Sequence, residues 1–299
     1  MDNEIESFTK KIARHLKDGE FGPQTVMGGC QDMLKRMASY YESEAEIETI
    51  ETVPGLCRNP GLDLVRFDLK VPNFAFFPEH TLKIFGIKFP AARFTAFNTI
   101  GGETVSTSKL LPMFPGAVAT FTGPTFKNGI PNNGLYTAEQ GLVHPFGEPD
   151  SGRRGAFAIS REGSLVTLTD EERKALLASP DDSVECIVGT SNIVLSSDTP
   201  DSLGQSPAGK TSLSYLTEFS NGGSKSDFVF FVTNSLFTRG TFKMVMDTYQ
   251  AQGNYTDYRA VELEYTHSAC FVRNDKGQMR FGGHGFATRK DHYLVIPNR

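Results

Sequence analysis

The chain has 299 residues, 38 % of them hydrophobic, with 29 glycines and a formal net charge of −5. This is ordinary globular composition, which excludes a disordered or low-complexity chain. The acidic balance argues against a broad nucleic-acid footprint, and no stretch approaches the ~18 consecutive apolar residues of a membrane span.

The first residues, MDNEIESFTKKIARHLKD, carry an apolar stripe at Ile5, Phe8, Ile12 and Leu16, the three-to-four spacing of an amphipathic helix. They lack the apolar core of a secretory signal, so the expected location is cytoplasmic. A second helical pattern spans about 25–43, with Val26, Met33, Leu34, Met37 and Tyr40, and Gly19 and Gly22-Pro23 separate the two. Residues 1–45 are therefore expected to form a helical hairpin. It would cap the main domain or make a homo-oligomer contact, because such a stripe cannot be buried alone.

From about residue 47 short alternating or apolar runs follow one another, separated by Gly, Pro and Asn. Strands are expected at Asp63–Val71, Phe74–Phe77, Leu82–Ile87, Ala117–Phe121, Ala156–Ile159, Leu165–Leu168, Val184–Val188, Asn192–Leu195, Phe228–Thr233, Val261–Glu264, Ala269–Arg273 and Tyr293–Ile296. Three helices are expected among them. One is at 104–112. Another is at 170–178, where Thr169 and Glu172 have capping-box spacing. The third is at 239–252, with Phe242, Val245, Met246 and Tyr249 on one face and Gly253 as its stop. The pattern predicts an α+β fold, a mixed β-sheet with helices on its faces. The expected division is a helical extension over 1–55 and the main domain over 56–299.

Four cysteines, Cys30, Cys57, Cys186 and Cys270, stand far apart. They show neither C-x-x-C pairing nor zinc-finger spacing, and they read as buried free thiols.

Three motifs carry chemistry. Gly204-Gln-Ser-Pro-Ala-Gly209-Lys210-Thr211 fits the phosphate-cradling Walker A pattern, which needs a strand before it and a helix N-terminus after it. Here a polar spacer, 196–202, precedes it and an alternating, strand-like run follows Thr211, so an NTPase is the weaker reading. Arg153-Arg154 closes a Gly/Pro-rich loop, where a guanidinium can grip phosphate or carboxylate through two parallel bonds, or simply be solvated. Glu262 and Glu264 share one face of a strand, with His267 and Ser268 at its end. Such a group can supply an acid, a base or a hard-metal ligand, or can be a set of exposed acids.

Taken in order, the segments resemble the phosphodiester glycosidase family, over about 61–299. Gly61-Leu-Asp-Leu-Val-Arg-Phe-Asp-Leu69 is similar to its opening strand. Ala117-Val-Ala-Thr-Phe-Thr-Gly123-Pro-Thr-Phe126 lies where the family has Ala-Ile-Asn-Gly-Gly-Phe-Phe. Gly134-Leu135 and Arg154–Ile159 resemble the segments that follow, and Lys210-Thr211-Ser212 stands in place of an Arg-Thr-Ala. Ala260–Ser268 resembles the block Leu-Asp-Gly-Gly-x-Ser, with Glu264-Tyr265-Thr266 in place of Asp-Gly-Gly.

The resemblance implies a hydrolase acting on a small sugar-phosphate or phosphodiester ligand. Arg154 and Lys210 would hold the anion, with Thr122, Gly123, Thr211 and Ser268 beside it. Glu264, Glu262 and His267 would be catalytic, and Glu264 would be the candidate ligand of a divalent metal. The substitutions at 122–125 and 264–266 leave open a member that binds such a ligand without turning it over. All these residues are expected to converge on one cleft.

Overall fold

Phe228, Phe230 and Val232 face one side of their strand, Val229 and Phe231 the other, and all five are buried. A strand apolar on both faces needs cover on both, and the computed structural model shows what provides it. The structure describes residues 46–53, 63–71, 80–89, 95–98, 105–106, 111–115, 117–124, 126–127, 130–131, 134–146, 154–199, 214–222, 227–233, 239–263, 270–274, 277–281, 289–290 and 292–297.

The strands are β1 (Glu46–Val53), β2 (Asp63–Val71), β3 (His80–Phe89), β4 (Thr95–Asn98), β5 (Val105–Ser106), β6 (Ala117–Thr122), β7 (Phe126–Lys127), β8 (Ile130–Pro131), β9 (Leu135–Thr137) and β10 (Gly141–His144). They continue as β11 (Arg154–Ser160), β12 (Leu165–Leu168), β13 (Val184–Ser196), β14 (Ser214–Ser220), β15 (Asp227–Thr233), β16 (Asp257–Glu262), β17 (Cys270–Asn274), β18 (Gly277–Phe281), β19 (Arg289–Lys290) and β20 (His292–Pro297). The longer helices among the described residues are α1 (Asp170–Ala178) and α2 (Arg239–Gly253).

The large sheet has the order β1-β2-β3-β15-β14-β16-β13-β11-β12, with β9 joined to β13 and β10 to β9. A second sheet has the order β18-β17-β6-β20-β4. Its Ala119, Phe121, Cys270 and Val272 pack against one face of the large sheet, on Leu216, Phe230, Val232 and Val261. The other face of the large sheet is covered by helices. Phe242, Val245 and Met246 of α2 pack on Phe67, Tyr215, Phe219, Phe231 and Ala260, and Leu176 and Leu177 of α1 pack on Ala156, Ala158 and Ile187. Each fully buried side chain of this size contributes about 1.5–3 kcal/mol. The helices are thus held mainly by their stripes rather than by propensity.

Expectation and structure agree on several elements. The strand at Leu165–Leu168 and the Thr169 capping box are both present, the box with Glu172 N–H donating to Thr169 Oγ1 at 3.2 Å. The strand-like reading after Thr211 is present as β14, which leaves no room for the helix a Walker A loop requires.

The fold class is corrected. Instead of a mixed sheet in an α+β fold, the described residues are mostly strand, and every pairing among them is antiparallel. The end of the expected helical extension is β1, an edge strand of the large sheet paired with β2. The hairpin positions 1–45 lie outside the described residues, as does the strand expected at Phe74–Phe77.

Smaller corrections have local causes. Within the helix expected over 104–112, Val105–Ser106 is instead a strand paired with Arg289–Lys290, and among the described residues that follow, 111–113 are helical. The run Thr104-Val-Ser-Thr-Ser108 is poor in helix formers. Two expected strands merge into the 13-residue β13. Gly189 still pairs with Ala156, and the Thr190 hydroxyl donates to the Gly155 carbonyl at 2.9 Å, so Gly189-Thr-Ser191 does not break the strand. Helix α2 includes Gly253; the left-handed residue that ends it is Asn254, at φ 54°. Gly253 is required for another reason, since a Cβ there would come within 2.1 Å of the Tyr255 ring. Among the described residues, no helix is long and apolar enough to cross a membrane.

Candidate functional site

The strand register brings several chain segments to one end of the sandwich. In the β14–β16 ladder Tyr215 pairs with Glu262, and the Leu263 N–H extends the ladder by donating to the Ser214 carbonyl at 3.0 Å. On the other side of β16, Val261 pairs with Val194 of β13, and the preceding residue of β13, Ile193, pairs with Arg154. Arg154 therefore lies two strands from Glu262, about 10 Å across the sheet at ~4.8 Å per strand. Leu263 is buried between the sheets with Cys270 and Phe121; Cys270 pairs with Phe121, and Thr122 is the last residue of β6. Thr233, the last residue of β15, and Arg239, the first of α2, flank the same end.

Of the residues expected in a site, the structure places Thr122 at the end of β6, followed by buried Gly123, and Arg154 at the start of β11. Immediately after Arg154 the β11–β13 register shifts, a bulge of the kind that re-aims neighbouring side chains. The residues flanking the other expected positions, Ser214 after Lys210-Thr211 and Leu263 before Glu264, lie at this end as well. Lys210, Thr211, Glu264, His267 and Ser268 themselves lie outside the described residues.

The alternative of an exposed acid at Glu262 is corrected: the residue is fully buried and meets Arg239 of α2. One of its oxygens, Oε2, accepts from Arg239 Nε at 2.9 Å and from the Tyr215 hydroxyl at 2.9 Å. The Arg239 side chain keeps 15 % of its surface exposed. A buried carboxylate is tolerated only when paired and hydrogen-bonded, and both conditions hold here. Burial, reinforced by the Glu262 charge, keeps the Tyr215 phenol well above its ordinary pKa. Burial alone would lower the pKa of Arg239, but the Glu262 charge outweighs it and raises the value. Across the pH range of ordinary solutions the network therefore keeps a neutral phenol and a charged guanidinium beside Glu262.

Sequence reasoning missed Arg239 and Tyr215, although a signal was present. Tyr258, Ala260 and Glu262 share strand parity, so an acid there continues a buried face and demands a cation.

A second support stands beside this end. The Gly134 carbonyl accepts from Gly189 N–H at 3.0 Å, and Gly134 has φ 109°. A Cβ on Gly134 would come within 2.4 Å of the Phe146 ring, so only glycine fits. The Arg173 guanidinium lies 5.0 Å from the centre of that ring and pairs with the buried Asp170. Among the described residues, no three or more His, Cys, Asp or Glu side chains are grouped as a metal site.

No family model matches the chain. No curated protein matches it either. Among solved structures, it is similar to the catalytic domain of zebrafish N-acetylglucosamine-1-phosphodiester alpha-N-acetylglucosaminidase, auto-inhibited by its pro-peptide. The TM-score is 0.51 at 11 % identity, and the match covers 87 % of this chain and 93 % of that one. The likeness is one of fold.

Proposed function

We propose that the chain is a hydrolase-type protein acting on a small sugar-phosphate or phosphodiester ligand, bound at the end of the sandwich where Thr122, Arg154 and Leu263 lie. The observation that carries this reading is the fold shared along most of both chains with a phosphodiester-cleaving glycosidase. The attachment points of the expected site residues also collect at one end of the sheets, where ligands commonly bind. In this reading Arg154 and Lys210 hold the anion, with Thr211 and Ser268 beside it. Glu264 serves as acid, base or ligand of a divalent metal, and His267 lines the same rim.

A second reading, a member that binds such a ligand without turnover, is favoured by one observation. The described carboxylate at this end, Glu262, is committed to Arg239 and Tyr215 and is closed to solvent. In the enzyme reading, proton transfer would rest on Glu264 and His267.

The test is release of N-acetylglucosamine from an N-acetylglucosamine 1-phosphodiester by the full chain, with and without chelator, alongside calorimetric binding of N-acetylglucosamine 1-phosphate. Release that is abolished by Glu264→Gln supports the enzyme. Binding without release supports the second reading. Neither binding nor release sinks both.

A further inference from the structure

We infer that Arg239 and Tyr215 are positioning residues, which act through Glu262 to lock three chain ends into the single unit that bears the candidate site. The inference rests on the proposed location of that site. Tyr215 is the second residue of β14, Glu262 closes β16 and Arg239 opens α2. Their polar atoms meet on one carboxylate oxygen, with both contacts at 2.9 Å. The arrangement ties a helix to a sheet at the point where both enter connecting segments.

The chemistry suits a lock better than a ligand subsite. Guanidinium and carboxylate neutralise one another, so the pair offers an approaching anion little net charge. Its directional bonds, in contrast, fix the first turn of α2 against two strand ends. The Tyr215 ring also packs against Phe242, at 4.9 Å between centroids, so the same residue couples the polar lock to the apolar stripe of α2.

A comparable polar cluster lies at the opposite end of β15. There Lys88 Nζ lies 3.0 Å from Asp227 Oδ2, which also accepts from the Tyr255 hydroxyl at 2.6 Å. With Asp227 as first and Thr233 as last residue of its strand, the two ends are separated by about 20 Å at ~3.4 Å per residue. This cluster provides a matched control, because breaking it should destabilise the fold without touching the lock.

The experiment compares Tyr215→Phe, Arg239→Met, Arg239→Lys and Lys88→Met in the full chain. The first readout is amide hydrogen exchange, and the second is calorimetric affinity for N-acetylglucosamine 1-phosphate. Tyr215→Phe removes one hydroxyl and keeps the ring, so it remains informative even where Arg239→Met fails to fold. The expected result is exchange at least roughly 10-fold faster at 214–216, 239–243 and 261–263, the consequence of losing one buried hydrogen bond. Affinity falls in Tyr215→Phe, falls further in Arg239→Met, and is partly restored in Arg239→Lys, while Lys88→Met lowers the melting temperature and leaves affinity unchanged. Unchanged local exchange in Tyr215→Phe overturns the inference. So does faster exchange with unaltered affinity, or an equal loss of affinity in Lys88→Met. A wild-type chain that does not bind the probe defeats the functional reading instead, and the exchange data alone then decide whether the lock exists.

Discussion

Arg239 Nε meets the buried Glu262 carboxylate at 2.9 Å, joining the first turn of α2 to the last residue of β16. Removing one partner of such a pair leaves an uncompensated buried charge, which costs about 3–5 kcal/mol. Arg239→Met should therefore lower stability in urea titration by about that amount. Replacing both residues, as in Arg239→Met with Glu262→Met, should recover much of the loss. A double variant no more stable than Arg239→Met would show that the pair is worth more than the hydrophobic contacts replacing it.

Gly253→Ala tests the packing at the far end of α2. Alanine in place of a helical glycine gains about 1 kcal/mol of propensity. Here its Cβ would meet the Tyr255 ring at 2.1 Å, and that ring is tied to Asp227 and Lys88. Overpacking of this kind costs about 1–3 kcal/mol. Net destabilisation of up to about 2 kcal/mol is expected in urea titration, and a stabilised variant would mean that Tyr255 yields freely.

Cys186 is buried, and desolvation pushes its thiol up to about 12. The reactive thiolate is then scarce at neutral pH. In the native chain iodoacetamide should leave Cys186 unlabelled by mass spectrometry, with full labelling in denaturant. Native labelling at pH 8 on the timescale of a free thiol would contradict the burial of β13.

Glu172 is held below its ordinary carboxylate value. Desolvation opposes this lowering, but the Thr169 N–H and the Arg259 guanidinium outweigh it. A depressed folded-state value means that the stabilisation is present above the unfolded carboxylate range, near pH 4.5, and fades as pH falls through the folded value. Glu172→Gln keeps the capping geometry and removes the charge. It should lower the melting temperature at pH 7 by no more than a few degrees, since exposed pairs are worth about 0.2–1 kcal/mol. The difference from wild type should shrink as pH falls through the folded value. A gap that does not narrow with falling pH would assign the effect to the cap rather than to the ion pair.

Much of the strand content was legible because local pattern controls it. The apolar run at Phe228–Val232, the alternation after Thr211 and the Thr169–Glu172 box each need only a few neighbouring residues to be recognised. The helical stripe of α2 was legible for the same reason. Pairing direction is not a local property, and the antiparallel order of the large sheet came only from long-range register, with β3 against β15 and β13 against β16. Val105–Ser106 became a strand because Arg289–Lys290 lies beside it, far away in sequence. Glu262 shows the limit for the site. Its alternation with Tyr258 and Ala260 indicated which face it shares, but only tertiary packing decided that Arg239 and Tyr215 meet its carboxylate there. A charge is buried or exposed according to what the rest of the chain brings to it.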